Sequence, residues 1–232
     1  MRLVSAGSFV MGDDGDPSTA PKNTLSLPAF YMDRDEVTNA RFATFVQATG
    51  YQVQGDWRRY ADSGNFDPQF FDVDRTGHPV VNVSWVDAST YCQWAGKRLP
   101  FEAEWEKAAR GTDGRRWPWG NEPHPEFANI ENNSDVEPDT KQVGSYPQGA
   151  SPFGLLDMAG NVREWTASAL QSYPLSDPTA GTDGTSRVTR GGSWLSLPGS
   201  IEVSRRLAEP VGTAAKDLGF RCAVSADQAT GR

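Results

Sequence analysis

Cysteine and histidine are scarce in this sequence, which contains two of each: Cys92, Cys222, His78 and His124. The cysteines lie too far apart for a local metal knuckle, and two histidines cannot complete a zinc ligand set. This scarcity argues against a zinc centre. The residues alone leave two alternatives for the cysteines, a buried pair of free thiols or one disulfide. A disulfide would close most of the chain into one loop and stabilise it by about 4 to 5 kcal/mol.

Positive net charge and long apolar runs are also absent. The formal net charge is −8, which argues against nucleic acid or an anionic membrane surface as the main partner. No apolar run approaches the length that crosses a bilayer, and residues 1–10 contain no apolar stretch of the kind found in signal peptides. We therefore expect no nucleic-acid partner and no membrane partner. The sequence leaves the cellular compartment open.

Turn formers and aromatic residues are what the sequence has in quantity. Its 23 glycines and 16 prolines indicate many turns and irregular segments rather than long helices. Eight tryptophans and 11 phenylalanines supply large buried areas, so a core can form although only 37% of the residues are hydrophobic. No linker composition or internal repeat divides the chain. We predict a single domain over residues 1–232.

Three segments have the apolar spacing of helices. The first begins after Thr38, whose hydroxyl can cap it, and ends at Gly50. The second is predicted from about Trp85 to Ala95 after a Ser84 cap, and the third from about Glu102 to Ala109. The spacing places these residues on the inward faces: Phe42, Phe45 and Val46 in the first helix, Tyr91, Trp94 and Ala95 in the second, and Trp105 in the third.

Short strands are predicted between the helices and around them. Alternating apolar residues over 4–28 indicate strands on either side of a Gly/Asp-rich loop, and residues 29–32 indicate another. Further strands are expected at 143–146, 187–190 and 220–224. Residues 52–78 are polar and aromatic without periodicity, which predicts a long surface loop.

Nine short motifs follow one another along the chain. They are AGSFVMG at 6–12, DEVTN at 35–39, HPVVNVSW at 78–85, YCQWAGKRLP at 91–100, EAEWE at 102–106, PWGN at 118–121, GLLDMAGNVREW at 154–165, RGGSW at 190–194 and GFRCA at 219–223. In content and order they resemble the signature of the formylglycine-generating enzyme (sulfatase-modifying factor) family. The resemblance implies an α+β, C-type-lectin-like fold that is rich in loops, with a few helices and small twisted antiparallel sheets.

The resemblance also gives the two cysteines a role. In the family, the cysteine of the Tyr-Cys-x-Trp-Ala-Gly helix pairs with the cysteine of the Gly-Phe-Arg-Cys strand. The matching positions are Cys92 and Cys222, which are therefore expected to form a structural disulfide under oxidising conditions.

The chemistry of the resembled family depends on two further cysteines that hold Cu(I), a metal that prefers soft thiolate ligands. Counting back from Gly219, the matching positions are Pro198 and Val203, and neither side chain binds copper. We therefore expect no copper and no copper-dependent oxidation. The alternative is a modifying enzyme that acts without the two copper cysteines.

Two oxygen-rich clusters match the family's calcium sites, and calcium favours such mixtures of carboxylate and carbonyl ligands. The first cluster comprises Asp157, Gly160, Val162 and Glu164. The second comprises Asn129, Ile130 and Asp135. The alternative for both is turn chemistry, in which Asp and Asn bond to their own backbone. We expect calcium as the cofactor, more at the first cluster than at the second.

Residues 195–217 replace the family's active-site segment and are expected on the ligand-facing side of the fold. An apolar patch on such a surface marks a binding site for a protein or a small molecule. Arg163 adds a cation nearby, whereas Arg190 and Arg221 are expected to hold structural ion pairs or backbone groups. The candidate ligand-binding residues are Leu195, Leu197, Ser200, Ile201, Glu202 and Arg205. Val203 is expected to pack inward.

Two kinds of binding domain agree with these features. The segment has the place and length of the mutagenised segment in variable proteins of diversity-generating retroelements, which resemble this family in fold. A sensor or accessory domain attached to a signalling module is the other candidate.

Overall fold

The helices begin and end close to the residues that cap them. A computed structural model describes residues 1–61, 75–131, 139–173 and 184–229, and its helices are α1 (Asn39–Thr49), α2 (Arg58–Ala61), α3 (Trp85–Trp94), α4 (Glu102–Arg110) and α5 (Ala226–Ala229). Thr38 caps α1 through its hydroxyl, and Gly50 ends the helix in the left-handed region with φ 67°. Ser84 and Asp87 form a reciprocal capping box at the start of α3.

The predicted inward faces of α1 and α4 are confirmed, whereas the predicted inward face of α3 is partly wrong. Phe42, Phe45 and Trp105 are buried as predicted, but Trp94 is 44% exposed. The buried apolar residues of α3 are instead Ala88, Tyr91 and Cys92. Helix α3 buries the face that carries Cys92, because Cys92 is bonded to Cys222.

In the described ranges, nine short strands form three small sheets. The strands are β1 (Arg2–Val4), β2 (Gly7–Met11), β3 (Asn23–Leu27), β4 (Phe30–Met32), β5 (Arg163–Trp165), β6 (Ser186–Arg190), β7 (Arg206–Pro210), β8 (Leu218–Gly219) and β9 (Ala223–Ser225). Among the described residues, the sheet orders are β1-β4-β9, β2-β3 and β7-β6-β5-β8. The pairs are antiparallel except for β5 with β8, which is parallel. This arrangement confirms the α+β, C-type-lectin-like class.

The strand predictions are confirmed at 29–32 and 187–190 and wrong at 143–146. Residues 143–146 form a turn, since Gly144 has φ 78° and its amide donates to the Asp157 carboxylate at 2.6 Å. The strand expected at 220–224 is split, and β8 and β9 lie on either side of residues 220–222.

The predicted surface loop over 52–78 is wrong in the part that the structure describes. Helix α2 lies within it, and Trp57 is buried against Phe42 with their ring centroids 5.3 Å apart. Residues 62–74 lie outside the described ranges.

The two larger apolar clusters among the described residues hold the helices and strands together. One surrounds α4 and contains Trp105, Met158 and Val203, which confirms that Val203 packs inward. The other joins α1 to α3 and contains both cysteines. The Cys92–Cys222 disulfide links α3 to the residue before β9. In the described ranges, no helix has the length and apolar character that crossing a membrane requires.

Candidate ligand-binding site

A groove of about 600 Å³ lies beside β6 and β7. The segment that follows β6 forms one wall, and the start of β7 contributes to another. Its lining residues come from six stretches of chain: Ser18, Glu131, Arg163, Thr189, Arg190, Gly191, Gly192, Leu195, Ser196, Leu197, Ser200, Arg205, Arg206 and Leu207. Residues far apart in sequence therefore share one concavity, which is the usual form of a ligand site.

The structure brings four of the six predicted binding residues to this groove. Leu195, Leu197, Ser200 and Arg205 line it, and Leu195 and Leu197 are 43% and 60% exposed. Solvated leucines in a concave wall supply the apolar contact that a ligand can bury.

The other two predicted residues do not line the groove. Ile201 is buried in a small cluster with Trp117 and Ala128, so its side chain contributes to packing. Glu202 accepts a hydrogen bond from Arg116 Nε at 2.9 Å. The sequence pattern missed Leu207, which is 55% exposed and follows the buried Arg206 in β7. Its position within the candidate segment 195–217 was the available signal.

The wall formed by residues 192–196 has a fixed shape. Gly192 has φ 67°, and a Cβ atom there would lie 2.8 Å from Ile201 Cγ2 and 3.1 Å from Ser196 Oγ. The Ser193 hydroxyl donates to Asp217 Oδ2 at 3.0 Å, and the Ser196 carbonyl accepts from the Glu131 amide at 2.9 Å. Only glycine fits both the conformation and the space at position 192.

Arg163 joins three parts of the groove's surroundings. It projects from β5, and its Nε donates to Asp217 Oδ2 at 2.9 Å. Its Nη1 also pairs with Glu209 of β7. The cation expected near the groove is therefore in place, and its guanidinium is already engaged by two carboxylates.

A buried ion network includes two of the residues that line the groove, Arg190 and Arg206. Arg190 pairs with Glu102 and Glu106 of α4, while Arg206 pairs with Glu102. Arg190 Nη1 also donates to the Val203 carbonyl at 2.8 Å. Buried charges persist when paired and hydrogen-bonded, so the structural role predicted for Arg190 is confirmed.

Thr189, on the groove lining, has an unsatisfied hydroxyl. The Thr189 hydroxyl is buried and has no hydrogen-bond partner among the described residues, although Thr189 lines the groove. A buried polar atom without a partner costs free energy.

The residues at the expected copper positions do not fit Cu(I). Pro198 is exposed and opens a short 3-10 turn. Val203 is buried, and its amide donates to the Arg116 carbonyl at 3.0 Å. The two cysteines of the sequence are bonded to each other. No thiolate of this chain is therefore available in the disulfide-bonded form.

The first predicted calcium cluster lies beside Glu36, a carboxylate that sequence reasoning missed. Glu164 accepts from Arg221 through both oxygens, at 2.7 and 2.8 Å, and Arg221 also donates to three backbone carbonyls. Burial, together with the Asp157 carboxylate, raises the pKa of Glu36 well above its ordinary value. Glu36 lies within the DEVTN motif, but nothing in the letters marked it as facing Asp157.

Excess negative charge is the feature of this cluster that fits a cation. Three carboxylates (Glu36, Asp157 and Glu164) lie around one guanidinium, and the side chains of Glu36 and Asp157 are in hydrogen-bonding contact with each other. Burial also raises the pKa of Asp157. Across the described ranges, no three acidic, histidine or cysteine side chains are arranged to hold a metal by themselves. A cation here would need backbone carbonyls such as those of Gly160 and Val162.

The second predicted cluster is described only in part. The Asn129 side chain donates to the Asp139 carbonyl and to Asn161 Oδ1, and Ile130 is buried. Asp135 lies outside the described residues. The described part of this cluster is thus accounted for by protein contacts.

Comparison with known proteins agrees with this architecture. The profile of the sulfatase-modifying factor enzyme 1-like domain matches residues 1–226. A formylglycine-generating enzyme from Streptomyces coelicolor is 37% identical, over 98% of this chain and 90% of the relative. The structure of PvdO from Pseudomonas aeruginosa aligns with TM-score 0.80 and 28% identity over 95% of this chain and 92% of that one. Treponema denticola variable protein 1 aligns with TM-score 0.78 and 23% identity, over 97% and 94% of the two chains, a likeness of fold.

Proposed function

The chain belongs to the sulfatase-modifying factor enzyme 1-like domain family, and from this premise we propose that it is a non-catalytic binding domain. In this proposal, the groove beside β6 and β7 holds a protein or small-molecule ligand. The observation that carries the proposal is the pairing of both cysteines of the sequence in one buried disulfide. No thiolate remains to hold the Cu(I) that the resembled oxidation requires.

The groove lining supports binding in two ways. Leu195, Leu197 and Leu207 offer exposed apolar surface on its walls, and burying apolar surface gives about 25 cal/mol per Å². The half-exposed Arg205 guanidinium offers hydrogen-bond donors on the same lining. A ligand that combines an apolar group with a hydrogen-bonding group suits this lining.

Calcium is the cofactor of this proposal. Asp157 and Glu164, with the carbonyls of Gly160 and Val162, would hold the ion, and Glu36 would add a third negative charge. The ion would balance buried carboxylates that Arg221 alone does not neutralise. Its role would be to stiffen the scaffold behind the groove, with no part in chemistry.

A variable binding module is the more specific form of the proposal. Positions 195, 197, 199 and 205 are exposed, whereas Ile201, Val203 and Ser204 of the same segment are buried. Side chains at the exposed positions can change without disturbing the core. A near-copy template repeat beside the encoding DNA would support this form. The absence of such a repeat would contradict it.

Selection from a random peptide display library tests binding at the groove. Peptides are selected on the wild-type domain and then measured on Leu207→Asp and on Ala208→Asp. Ala208 lies next to Leu207 in β7 and is exposed, but it is not among the residues that line the groove.

We expect enriched peptides to carry apolar residues, to lose affinity about tenfold or more on Leu207→Asp, and to keep it on Ala208→Asp. Equal affinity for both variants, or no enrichment at all, would contradict the assignment of the ligand to this groove.

A further inference from the structure

A second concavity, distinct from the groove, lies where β1, β4, α1 and the end of α3 meet. Its volume is about 570 Å³, and its lining includes Arg2, Asp33, Arg34, Asp35, Arg41 and Tyr91, with Lys97 beside them. We call this set the basic pocket. It shares no lining residue with the groove.

The charges that line the basic pocket do not balance. Four cationic side chains face two carboxylates. Lys97 Nζ lies 2.7 Å from Asp33 Oδ1, and Arg34 Nε lies 3.0 Å from Asp35 Oδ2. Both carboxylates are thus matched by a cation within the pocket. Two positive charges remain over, on a chain whose formal net charge is −8.

Arg2 and Arg41 carry this excess. Within the described ranges, neither has an ion-pair partner. Arg41 lies in the first turn of α1, which contains no acidic residue. The positive end of the helix dipole makes a cation unfavourable there and an anion favourable. An anion bound in the basic pocket would offset the repulsion between the Arg41 cation and the positive end of the helix dipole.

Tyr91 adds a neutral donor to the same pocket. Its ring is buried between Phe42 and Phe220, which fixes its position. Burial raises the pKa of the Tyr91 phenol, so the hydroxyl keeps its proton at neutral pH and can donate to an oxyanion.

We propose that the basic pocket binds a phosphate group. Two unpaired guanidinium groups match the charge of a phosphate, about −1.5 to −2 at neutral pH. Guanidinium donors from β1 and α1 and the phenol from α3 approach it from separate elements, which suits a tetrahedral oxyanion better than a planar monocarboxylate. Free inorganic phosphate and the phosphate of a phosphorylated amino acid share this chemistry.

Calorimetric titration of the whole chain tests the proposal. Inorganic phosphate, phosphoserine, phosphotyrosine and acetate are titrated at constant ionic strength into the wild type, Arg41→Gln and Arg2→Gln. Lys22→Gln is the matched control, because it removes one positive charge from an exposed side chain outside the pocket. Circular dichroism confirms that each variant is folded, and the two test variants lie on different elements.

We expect saturable phosphate binding to the wild type and to Lys22→Gln, with a loss of about tenfold in each arginine variant and weaker binding of acetate. Tighter binding of a phosphoamino acid than of inorganic phosphate would assign the pocket to phosphorylated side chains, and the reverse to the free anion. Absence of saturable heat, or wild-type affinity in Arg41→Gln and Arg2→Gln, would overturn the proposal.

Discussion

At the scale of single residues, buried arginines organise this protein. Arg190 and Arg221 have essentially no solvent exposure, and each holds carboxylates and backbone carbonyls from distant parts of the chain. Such groups are costly to leave without a partner. The motif letters RGGSW and GFRCA suggested structural arginines, but they could not identify Glu102, Glu106 and Glu164 as the partners. Those pairings depend on how α4, β5 and β6 pack.

Replacing Arg190 by methionine should destabilise the fold strongly. The change leaves Glu102 and Glu106 buried with fewer cations, and breaking a buried pair costs about 3 to 5 kcal/mol. Urea unfolding measures the loss. Arg205→Met is the control, because the Arg205 side chain is 47% exposed and, among the described residues, pairs with Asp16. A loss under about 1 kcal/mol for Arg190→Met would contradict the structural role.

Glu36→Gln should change how stability depends on pH and on calcium. The pKa of Glu36 is raised above its ordinary 4.5, so the folded state holds the proton more tightly than the unfolded state does. In EGTA, the wild type should therefore lose stability as pH rises from that value through the folded pKa. The variant keeps an acceptor for Asn161 Nδ2 and should show a flatter profile.

Added calcium should raise the melting temperature of the wild type more than that of Glu36→Gln, because the variant has one negative charge fewer. Thermal unfolding over a range of pH, with EGTA or with calcium, gives both results. Parallel pH profiles and no calcium shift in either protein would contradict the proposed cation site.

At the scale of elements, local signals predicted the helix ends well and the strands less well. Thr38, Ser84 and Gly50 cap as expected because capping involves residues that are neighbours in sequence. The strand expected at 143–146 is a turn because Asp157, distant in sequence, binds the Gly144 amide. No local pattern contains that contact. The motif resemblance supplied the pairing of α3 with the end of the chain, which local reasoning had left open.

Removing the link between α3 and the residue before β9 should be costly. The disulfide joins residues separated by 130 positions, and the chain-entropy model gives about 4 to 5 kcal/mol for a loop of that size. Cys92→Ala/Cys222→Ala should lower the unfolding free energy by an amount of this order, measured by urea denaturation. The reduced wild type is the comparison, because it lacks the bond but keeps the sulfur atoms. Equal stability of the oxidised and reduced wild type would show that the bond contributes little.

At the scale of the whole molecule, the motifs predicted the fold and the general position of the groove. They placed Leu195, Leu197, Ser200 and Arg205 at one site, because one segment contains all four. Leu207 lies within the candidate segment 195–217 but was not singled out, whereas Thr189 and the basic pocket were missed because they depend on elements that are distant in sequence. Residues of a site can be predicted from the sequence when they are neighbours or share a family motif. The other residues of the site are brought together only by tertiary packing.

The central claim is that this domain binds without copper-dependent oxidation. The most direct test is oxygen uptake by the disulfide-bonded protein incubated with Cu(I) and a cysteine-containing peptide, beside an equal concentration of Cu(I) and peptide alone. Because both cysteines are bonded to each other, we predict the same rate with and without protein and an unmodified peptide by mass spectrometry. Protein-dependent oxygen uptake with oxidation of the peptide cysteine would contradict the claim and identify the chain as an enzyme.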